Sequence, residues 1–277
     1  VNESKTPDYQ ALISTCDTIA RVMHIGSLVI FRSTVGVGVT RSLLVKQLEQ
    51  KSGLLAGKDF FVSFCPERTA EGVALRELAE LPQLLSGLTS SCLARAASFW
   101  RQLSPTVVEC NSLEVAELAK LANNSFRDLS FAFANELASI CHNLNIDALE
   151  VVEKANQGYV RNRIAFPSIG VGGYCLTKDP YIFANSTINV QESISLSALG
   201  REKNDASLNF PIDVVSRWIS REQDLSLSSI LIVGVAFKGE PATSDIRMSP
   251  SVEVLKRLTC QYPSVSFQYF DFEYTQP

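Results

Sequence analysis

Apolar and polar positions alternate along the first 110 residues with two different periods. Helices are predicted wherever apolar residues recur every three or four positions, in residues 6–26, 40–53 and 90–104. Thr6 and Pro7 favour a helix start at the first of these segments, and Gly53 favours a helix end at the second. Short apolar runs predict strands at SLVIFRS, DFFVSFC, QLLSG and TVVEC. This alternation is typical of a parallel sheet covered by helices.

The pattern changes at Asn111. Residues 112–144 contain neither Gly nor Pro and keep one helical period, which predicts a single long helix, a feature typical of an interface between domains or subunits. The segments that follow are a helix in DALEVVEKANQ, a Gly-rich loop at 157–180 and mostly helical residues 192–222 with a break near Pro211. SILIVGVAFKG, SPSVEVLKRLT and VSFQYFDFEY then predict a strand, a helix and a strand.

These elements predict an α/β protein with three parts. Residues 1–110 are interpreted as an incomplete Rossmann-like domain, 111–210 as a central helical domain, and 211–277 as the start of a second Rossmann-like domain. No G-x-G-x-x-G sequence follows a predicted strand, and the nearest match, GVGVTR, has Arg41 in the third glycine position. We therefore expect both ends of the chain to be incomplete.

The composition favours a globular protein and argues against nucleic-acid-binding, membrane and disulfide-rich proteins. The 277 residues are 46% hydrophobic and 19% charged, which indicates a globular protein with a sizeable core. The net charge of −4, without a Lys/Arg cluster, argues against a nucleic-acid partner. We expect no membrane association, because no apolar run approaches the roughly 20 residues of a spanning helix and the first residues lack a signal-peptide pattern. Seven scattered cysteines without a C-x-x-C pair argue against a disulfide framework or a zinc site and predict a cytoplasmic protein.

Cys175 in GVGGYCLTKDPY is the principal candidate for chemistry. Gly172 and Gly173 allow backbone N–H groups to approach the sulfur or an oxyanion. Lys178 can favour the thiolate, and Asp179 can position or deprotonate water. The chain has only two histidines, which argues against a Cys-His mechanism. The alternative interpretation is a cysteine in a turn with no chemical role.

Other polar positions are weaker candidates. Glu117, Lys120, Asn124 and Arg127 follow one face of the long helix, and this stripe alone favours a solvated surface. Two predicted strands end in polar loops, RSTVGVG with Thr34 and CPERTAEG with Glu67 and Glu71, at the edge where α/β sheets bind ligands.

Six motifs in order carry a resemblance to a known family. STVGVG, CPERTAEG, ELAKLANNSFRD, FANELASIC, GVGGYCLTKDPY and VGVAFKGEPATSDIRMSP resemble those of the UDP-glucose/GDP-mannose dehydrogenase family of nucleotide-sugar 6-dehydrogenases. The resemblance implies an N-terminal NAD-binding Rossmann domain, a central helical domain that forms a homodimer, and a C-terminal UDP-binding domain. It also implies a four-electron oxidation of the sugar C6 alcohol to a carboxylate through a Cys thiohemiacetal and thioester.

The resemblance further implies a role for each candidate residue. Cys175 would be the nucleophile, Lys120 and Asn124 would stabilise the oxyanion, and Asp179 would activate water with Lys120. Thr34 and Glu67 would order that water, and Glu71 would contact the sugar or assist hydrolysis. The remaining implied contacts are with the substrate, through Arg161, Gly172, Gly173, Lys238 and Arg247, and with NAD, through Ser33, Thr34 and Lys178.

Several alternatives stay open at the level of sequence. Without the Gly-rich fingerprint, NAD is implied by the resemblance alone, and we expect weak NAD binding from these 277 residues. Tyr174 and Thr177 depart from the family's usual residues in the Cys loop. NNSFRDLSFAFANELASI and KDPYIF favour UDP-N-acetylmannosamine or UDP-N-acetylglucosamine as substrate, with UDP-glucose and GDP-mannose open. Other classes are a β-hydroxyacid dehydrogenase, which needs no Cys, and an inactive fragment or dimerisation module.

Overall fold

A computed structural model describes residues 1–2, 4–104, 106–186, 195–221 and 229–274. The described residues divide into two compact units. The first contains Val1–Asn123 and the segment that starts at Tyr181, and the second contains Asn124–Pro180 and the described residues from 195 onward. The α/β fold with a Rossmann-like N-terminal domain and a helical domain built on one long helix is confirmed.

The first unit contains a four-stranded sheet in the order β1 (Leu28–Phe31), β2 (Phe61–Phe64), β3 (Gln83–Gly87) and β4 (Val107–Glu109). β1 pairs with β2 and β3 pairs with β4 in parallel, whereas β2 and β3 are antiparallel. The expectation of an all-parallel sheet was therefore wrong at this junction. A parallel return requires a crossover that packs on the sheet, and the helix between β2 and β3, α3 (Ala74–Glu80), buries none of its residues.

Three further helical segments belong to the first unit. They are α1 (Gln10–Val22), a π-helical segment at Thr40–Val45 that continues as α2 (Lys46–Ser52), and α4 (Ser90–Trp100). Gly53 ends α2 with a φ of 74°, as predicted. The predicted start of α1 at Thr6 was wrong, because the Thr6 hydroxyl bonds to Asn2 and Asp8 accepts the Gln10 N–H instead.

The core of the first unit lies between α1, α2 and the sheet. Phe31, Leu44, Phe60 and Val62 are among its buried side chains. Cys16 and Cys92 are also fully buried in this unit, as small hydrophobic residues often are.

The long helix α5 (Leu113–Leu144) has 32 residues, and the division between the units falls within it, after Asn123. The helices that follow are α6 (Ala148–Asn156), α7 (Asp179–Asn185), α8 (Leu196–Ala206), α9 (Asn209–Ile219) and α10 (Pro250–Gln261). β5 (Ser229–Val233) and β6 (Ser266–Phe270) are parallel neighbours joined through α10. None of the described helices is long and apolar enough to cross a membrane.

Two boundaries in the second part of the chain differ from the prediction. The break between α8 and α9 falls at Ser207–Leu208, and Pro211 lies in the first turn of α9, where its missing N–H removes no helical hydrogen bond. The predicted loop at 157–180 ends earlier, because α7 begins at Asp179. Residues 192–194 and 222 of the predicted helical stretch lie outside the described residues.

A buried polar network fixes α8 to α5 in the second unit. The Arg201 guanidinium donates to the Asp128 carboxylate at 2.7 Å, and both side chains are almost fully buried. Asn204 donates to the same carboxylate at 3.0 Å and accepts from Asn135, whose Oδ1 accepts the Ser168 N–H. The network therefore connects both helices to the segment that leads into the glycine-flanked Cys175 turn.

Candidate functional site

The strand-end loops of the first unit lie side by side because β1 and β2 are parallel neighbours. The Arg32 carbonyl accepts the Glu67 N–H at 3.1 Å, and the Arg32 guanidinium forms an ion pair with the Glu67 carboxylate at 2.5 Å. The same guanidinium stacks on the Trp100 ring at 4.6 Å. Ser33, which is exposed, and Thr34, which is half-buried, follow Arg32 directly. The structure therefore brings the loops with Thr34 and Glu67 together.

Glu67 is held in its ionised form. Burial alone would raise its pKa, but the Thr69 N–H and the Arg32 guanidinium both donate to the carboxylate and lower the pKa to about 2. Glu71 lies exposed in the turn that follows.

The polar face of α5 is not the solvated stripe that its spacing suggested. Glu117 is fully buried and Lys120 is 8% exposed, whereas the neighbouring Leu118 is 42% exposed. The Glu117 carboxylate accepts the Gly38 and Thr40 N–H groups at 2.6 and 3.0 Å, which explains why a charged side chain is buried there. Arg127, at the other end of the stripe, is exposed and lies over the Phe131 ring.

In the second unit, Cys175 lies exposed on the turn that leads into α7. Its carbonyl accepts the N–H groups of Lys178 and Asp179 at 3.2 and 3.0 Å. The Asp179 carboxylate is fully buried, and its two oxygens accept from the Lys178 ammonium at 2.5 Å and from the Asn124 amide at 2.6 Å. Four predicted site residues, Asn124, Cys175, Lys178 and Asp179, are thus brought into one local arrangement.

Two glycines allow the Cys175 turn to pack against the segment 235–250. A Cβ on Gly172 would lie 2.4 Å from the Met248 carbonyl oxygen, and a Cβ on Gly173, whose φ is +84°, would lie 2.7 Å from the Phe237 ring. Lys238 and Arg247 belong to the packed segment. Its loop is closed by the bond from the Phe237 N–H to the Asp245 carbonyl, at 2.9 Å.

The predicted cations differ in their surroundings. The Lys238 ammonium lies 5.5 Å from the Phe237 ring centroid, and the exposed Arg247 guanidinium pairs with Asp245 at 2.7 Å. Arg161 is exposed in the connection after α6, and within the described part of the chain it makes no hydrogen bond to another predicted site residue.

Sequence reasoning missed two residues that organise these loops. Arg32 joins the loops after β1 and β2, and Asp271 accepts the Val235 and Ala236 N–H groups at 2.7 and 2.9 Å. The Ala236 bond is the main cause of the lowered pKa of Asp271, about 2. Their positions in the sequence could have identified them, because Arg32 and Asp271 each directly follow the apolar run of a predicted strand.

The two groups of residues offer distinct chemistry. The first unit presents hydroxyls and an ionised carboxylate at the carboxyl edge of parallel strands, the usual position of ligands in α/β sheets. The second presents an exposed cysteine four residues before an aspartate, and the buried carboxylate of that aspartate is fixed by an amide and an ammonium. A thiol in that setting can form a covalent intermediate, while the carboxylate can position water.

Two models of one protein family match the chain. The NAD binding domain of the UDP-glucose/GDP-mannose dehydrogenase family matches residues 1–104, and the family's central domain matches residues 114–206. A UDP-N-acetyl-D-mannosamine dehydrogenase from Campylobacter jejuni is 33% identical over 269 residues, which are 95% of this chain and 63% of that protein. A UDP-N-acetyl-D-glucosamine 6-dehydrogenase from Salmonella typhi is 32% identical over 260 residues, or 93% and 60%.

Similarity extends to solved structures. The UDP-D-ManNAc dehydrogenase from Pyrococcus horikoshii has a TM-score of 0.86 at 29% identity, covering 99% of this chain and 63% of that chain. The chain spans about three fifths of the length of the curated relatives it matches. Because the two matched domains cover most of its residues in consecutive order, the chain belongs to the UDP-glucose/GDP-mannose dehydrogenase family.

Proposed function

We propose that this protein oxidises the C6 alcohol of a nucleotide sugar to a carboxylate, with NAD⁺ as oxidant and Cys175 as covalent nucleophile. The observation that carries the proposal is the exposed Cys175 on the turn into α7, whose carbonyl accepts the Asp179 N–H while Asn124 holds the Asp179 carboxylate. A β-hydroxyacid dehydrogenase performs a single oxidation and needs no such thiol. Family membership supports the same reaction class.

The first unit has the residue types and the strand-end loops that an NAD site requires. Parallel strands β1 and β2 end in adjacent loops, and Gly36 lies so close to the Tyr9 hydroxyl that a Cβ would approach it to 2.9 Å, so a larger residue would disturb the loop. Ser33 and Thr34 on this loop are the residues of the first unit that would hold the cofactor, and the NAD contact of Lys178 stays a prediction. When bound, NAD⁺ supplies the hydride acceptor for both oxidations.

The chemistry that requires Cys175 is the second oxidation. Loss of a hydride and a proton converts the C6 alcohol to an aldehyde, and the Cys175 sulfur adds to the aldehyde carbon to give a thiohemiacetal. Loss of a second hydride and proton gives a thioester. Water then attacks the thioester carbonyl, releasing the carboxylate and returning the thiol. Two NAD⁺ are therefore reduced for each sugar oxidised.

The neighbours of Cys175 support these steps. The Asn124 amide can donate to the oxygen that becomes negative during thiol addition and thioester hydrolysis. Its present bond to Asp179 orients both side chains, and Asp179 can accept a proton from the attacking water. The roles of Lys120, Thr34, Glu67 and Glu71 follow the family pattern and stay predictions.

The substrate that we propose is a UDP-N-acetylhexosamine, UDP-N-acetylmannosamine or UDP-N-acetylglucosamine. Both named relatives from C. jejuni and S. typhi act on sugars of this kind according to their names. Arg161, Lys238 and Arg247 would pair with the anionic substrate on a chain whose own net charge is −4. The predicted substrate contacts of Gly172 and Gly173 would be made through their backbone N–H groups, because Met248 and Phe237 fill the space beside their Cα atoms.

We also propose a homodimer formed through α5. Phe126, Phe133, Ile140 and Leu144 lie along one face of this helix and are 50–73% exposed. A second copy of the same face would cover them by isologous packing. Analytical ultracentrifugation tests this directly, with twice the chain mass expected and the single-chain mass contradicting it.

Product stoichiometry tests the proposed reaction. The purified protein is incubated with each of four nucleotide sugars, UDP-N-acetylmannosamine, UDP-N-acetylglucosamine, UDP-glucose and GDP-mannose, and NADH is counted against sugar consumed. We expect two NADH per UDP-N-acetylhexosamine. One NADH per sugar, with an aldehyde product, would favour the single-oxidation alternative, and oxidation of none of the four would favour an inactive or dimerising module.

A further inference from the structure

A buried carboxylate connects the long helix to the loop after β1. Glu117 of α5 has no exposed surface, and its two oxygens accept the Gly38 N–H at 2.6 Å and the Thr40 N–H at 3.0 Å. Thr40 is the first residue of the π-helical segment that continues as α2, and Gly38 lies two residues before it. First-turn N–H groups have no partner within their own helix, so the carboxylate satisfies them.

The negative charge is suited to this position. The N-terminus of a helix carries a partial positive charge, which stabilises an ionised carboxylate. An amide in place of Glu117 would keep one accepting oxygen and turn an NH₂ group towards the other donor. The arrangement therefore requires a carboxylate rather than any polar side chain of that size.

The same loop is held from its other side. The Gly36 N–H donates to the Tyr9 hydroxyl at 2.9 Å. Gly38 has a φ of +83°, a conformation that favours glycine. The loop after β1 is therefore fixed at Gly36, Gly38 and Thr40, directly after Ser33 and Thr34.

We propose that Glu117 is a positioning residue that fixes the loop carrying Ser33 and Thr34 relative to the turn of α5 carrying Lys120. Lys120 lies three residues after Glu117, on the same helical face, and is itself buried. The inference rests on the proposed function, in which Ser33 and Thr34 hold NAD and Lys120 takes part in the reaction. Glu117 acts through these residues and touches neither cofactor nor substrate.

The test is Glu117→Gln in the full chain, with Glu114→Gln as the matched control. Glu114 lies one turn earlier on α5 and bonds to the same π-helical segment through the Arg41 side chain at 2.7 Å, without contacting the backbone N–H groups. For Glu117→Gln we expect amide hydrogen exchange at Gly38 and Thr40 to rise about tenfold. The KM for NAD should rise about tenfold, with less than a twofold change in the KM for the nucleotide sugar. Glu114→Gln should change none of these.

Two results would overturn the proposal. One is equal exchange at Gly38 and Thr40 in both variants, and the other is a loss of kcat that matches a loss of folded protein, with both KM values unchanged. If Glu117→Gln does not fold, Glu117→Asp keeps the charge and shortens the reach, and it should show the same pattern at smaller amplitude. If the proposed function is wrong, the unmodified protein will not produce two NADH per sugar. In that case amide exchange at Gly38 and Thr40 alone decides whether Glu117 holds the loop.

Discussion

Replacing Arg201 by Met should destabilise the second unit by about 3–5 kcal/mol at pH 7. Arg201 and Asp128 are 1% and 0% exposed and 2.7 Å apart, so removal of the cation leaves a buried carboxylate without its counter-charge. An exposed pair contributes only about 0–1 kcal/mol. Arg257→Met, which removes the exposed i,i+4 pair with Glu253 on α10, is therefore the control for the same change of side chain.

The loss should depend on pH in a defined direction. Burial raises the pKa of Asp128 to about 6, against the lowering effect of Arg201. Without Arg201, the pKa of Asp128 in the folded protein rises further above its value in the unfolded chain. Protonation of Asp128 then stabilises the folded state, and this stabilisation is lost as pH rises through the folded pKa. The destabilisation should therefore be smaller at pH 5 than at pH 7. Adding Asp128→Asn to Arg201→Met should restore part of the stability at pH 7 and little at pH 5.

Urea unfolding is a suitable assay, followed by the fluorescence of Trp218 in a Trp100→Phe background, because Trp218 lies in the second unit and Trp100 in the first. With a slope of about 2 kcal/mol per molar urea, the midpoint should fall by about 1.5–2.5 M. A loss below about 1 kcal/mol at pH 7, no larger than that of Arg257→Met, would refute the reasoning.

Two further predictions concern the loops. The Glu67 pKa of about 2, below its ordinary 4.5, means that its contribution to stability is present above pH 4.5 and lost as pH falls towards 2. Because that side chain is 48% exposed, Glu67→Gln should cost only about 1 kcal/mol at pH 7 and less at pH 3. Urea unfolding followed by Trp100 fluorescence in a Trp218→Phe background measures this cost in the first unit, and an equal cost at both pH values would contradict the prediction. Gly172→Ala should cost about 1–3 kcal/mol, since its Cβ would lie 2.4 Å from the Met248 carbonyl oxygen. Gly239→Ala, whose Cβ would have no atom within 4 Å, should cost under about 0.5 kcal/mol. Both glycine variants are measured by urea unfolding followed at Trp218, and equal losses would argue against the packing described.

Local periodicity predicted the elements well because each depends on nearby residues. The long helix was expected at 112–144 and is observed at Leu113–Leu144, and QLLSG is β3 without change. The antiparallel pairing of β2 and β3 could not be predicted in this way. Both strands are largely buried, and an apolar run has the same pattern in either direction.

In the candidate site too, local sequence patterns identified residue types but not the contacts between distant segments. The residue types around Cys175 were identified from a short motif, and the structure brings Asn124 to Asp179 from 55 positions away in the chain. The burial of Glu117 could not be predicted, because helical spacing shows which residues share a face but not what packs against that face. Its burial depends on two backbone N–H groups that lie 77–79 positions earlier.

The central claim is that the Cys175 sulfur carries the sugar as a thioester, and mass spectrometry of the enzyme during turnover tests it most directly. The protein is quenched in acid within one turnover after mixing with NAD⁺ and a UDP-N-acetylhexosamine, and the peptide that contains Cys175 is analysed. We expect a mass increase equal to the acyl group of the oxidised nucleotide sugar, located on Cys175 and absent from Cys175→Ala. Formation of the carboxylate at an unchanged rate by Cys175→Ala, with no adduct on the native cysteine, would contradict the account.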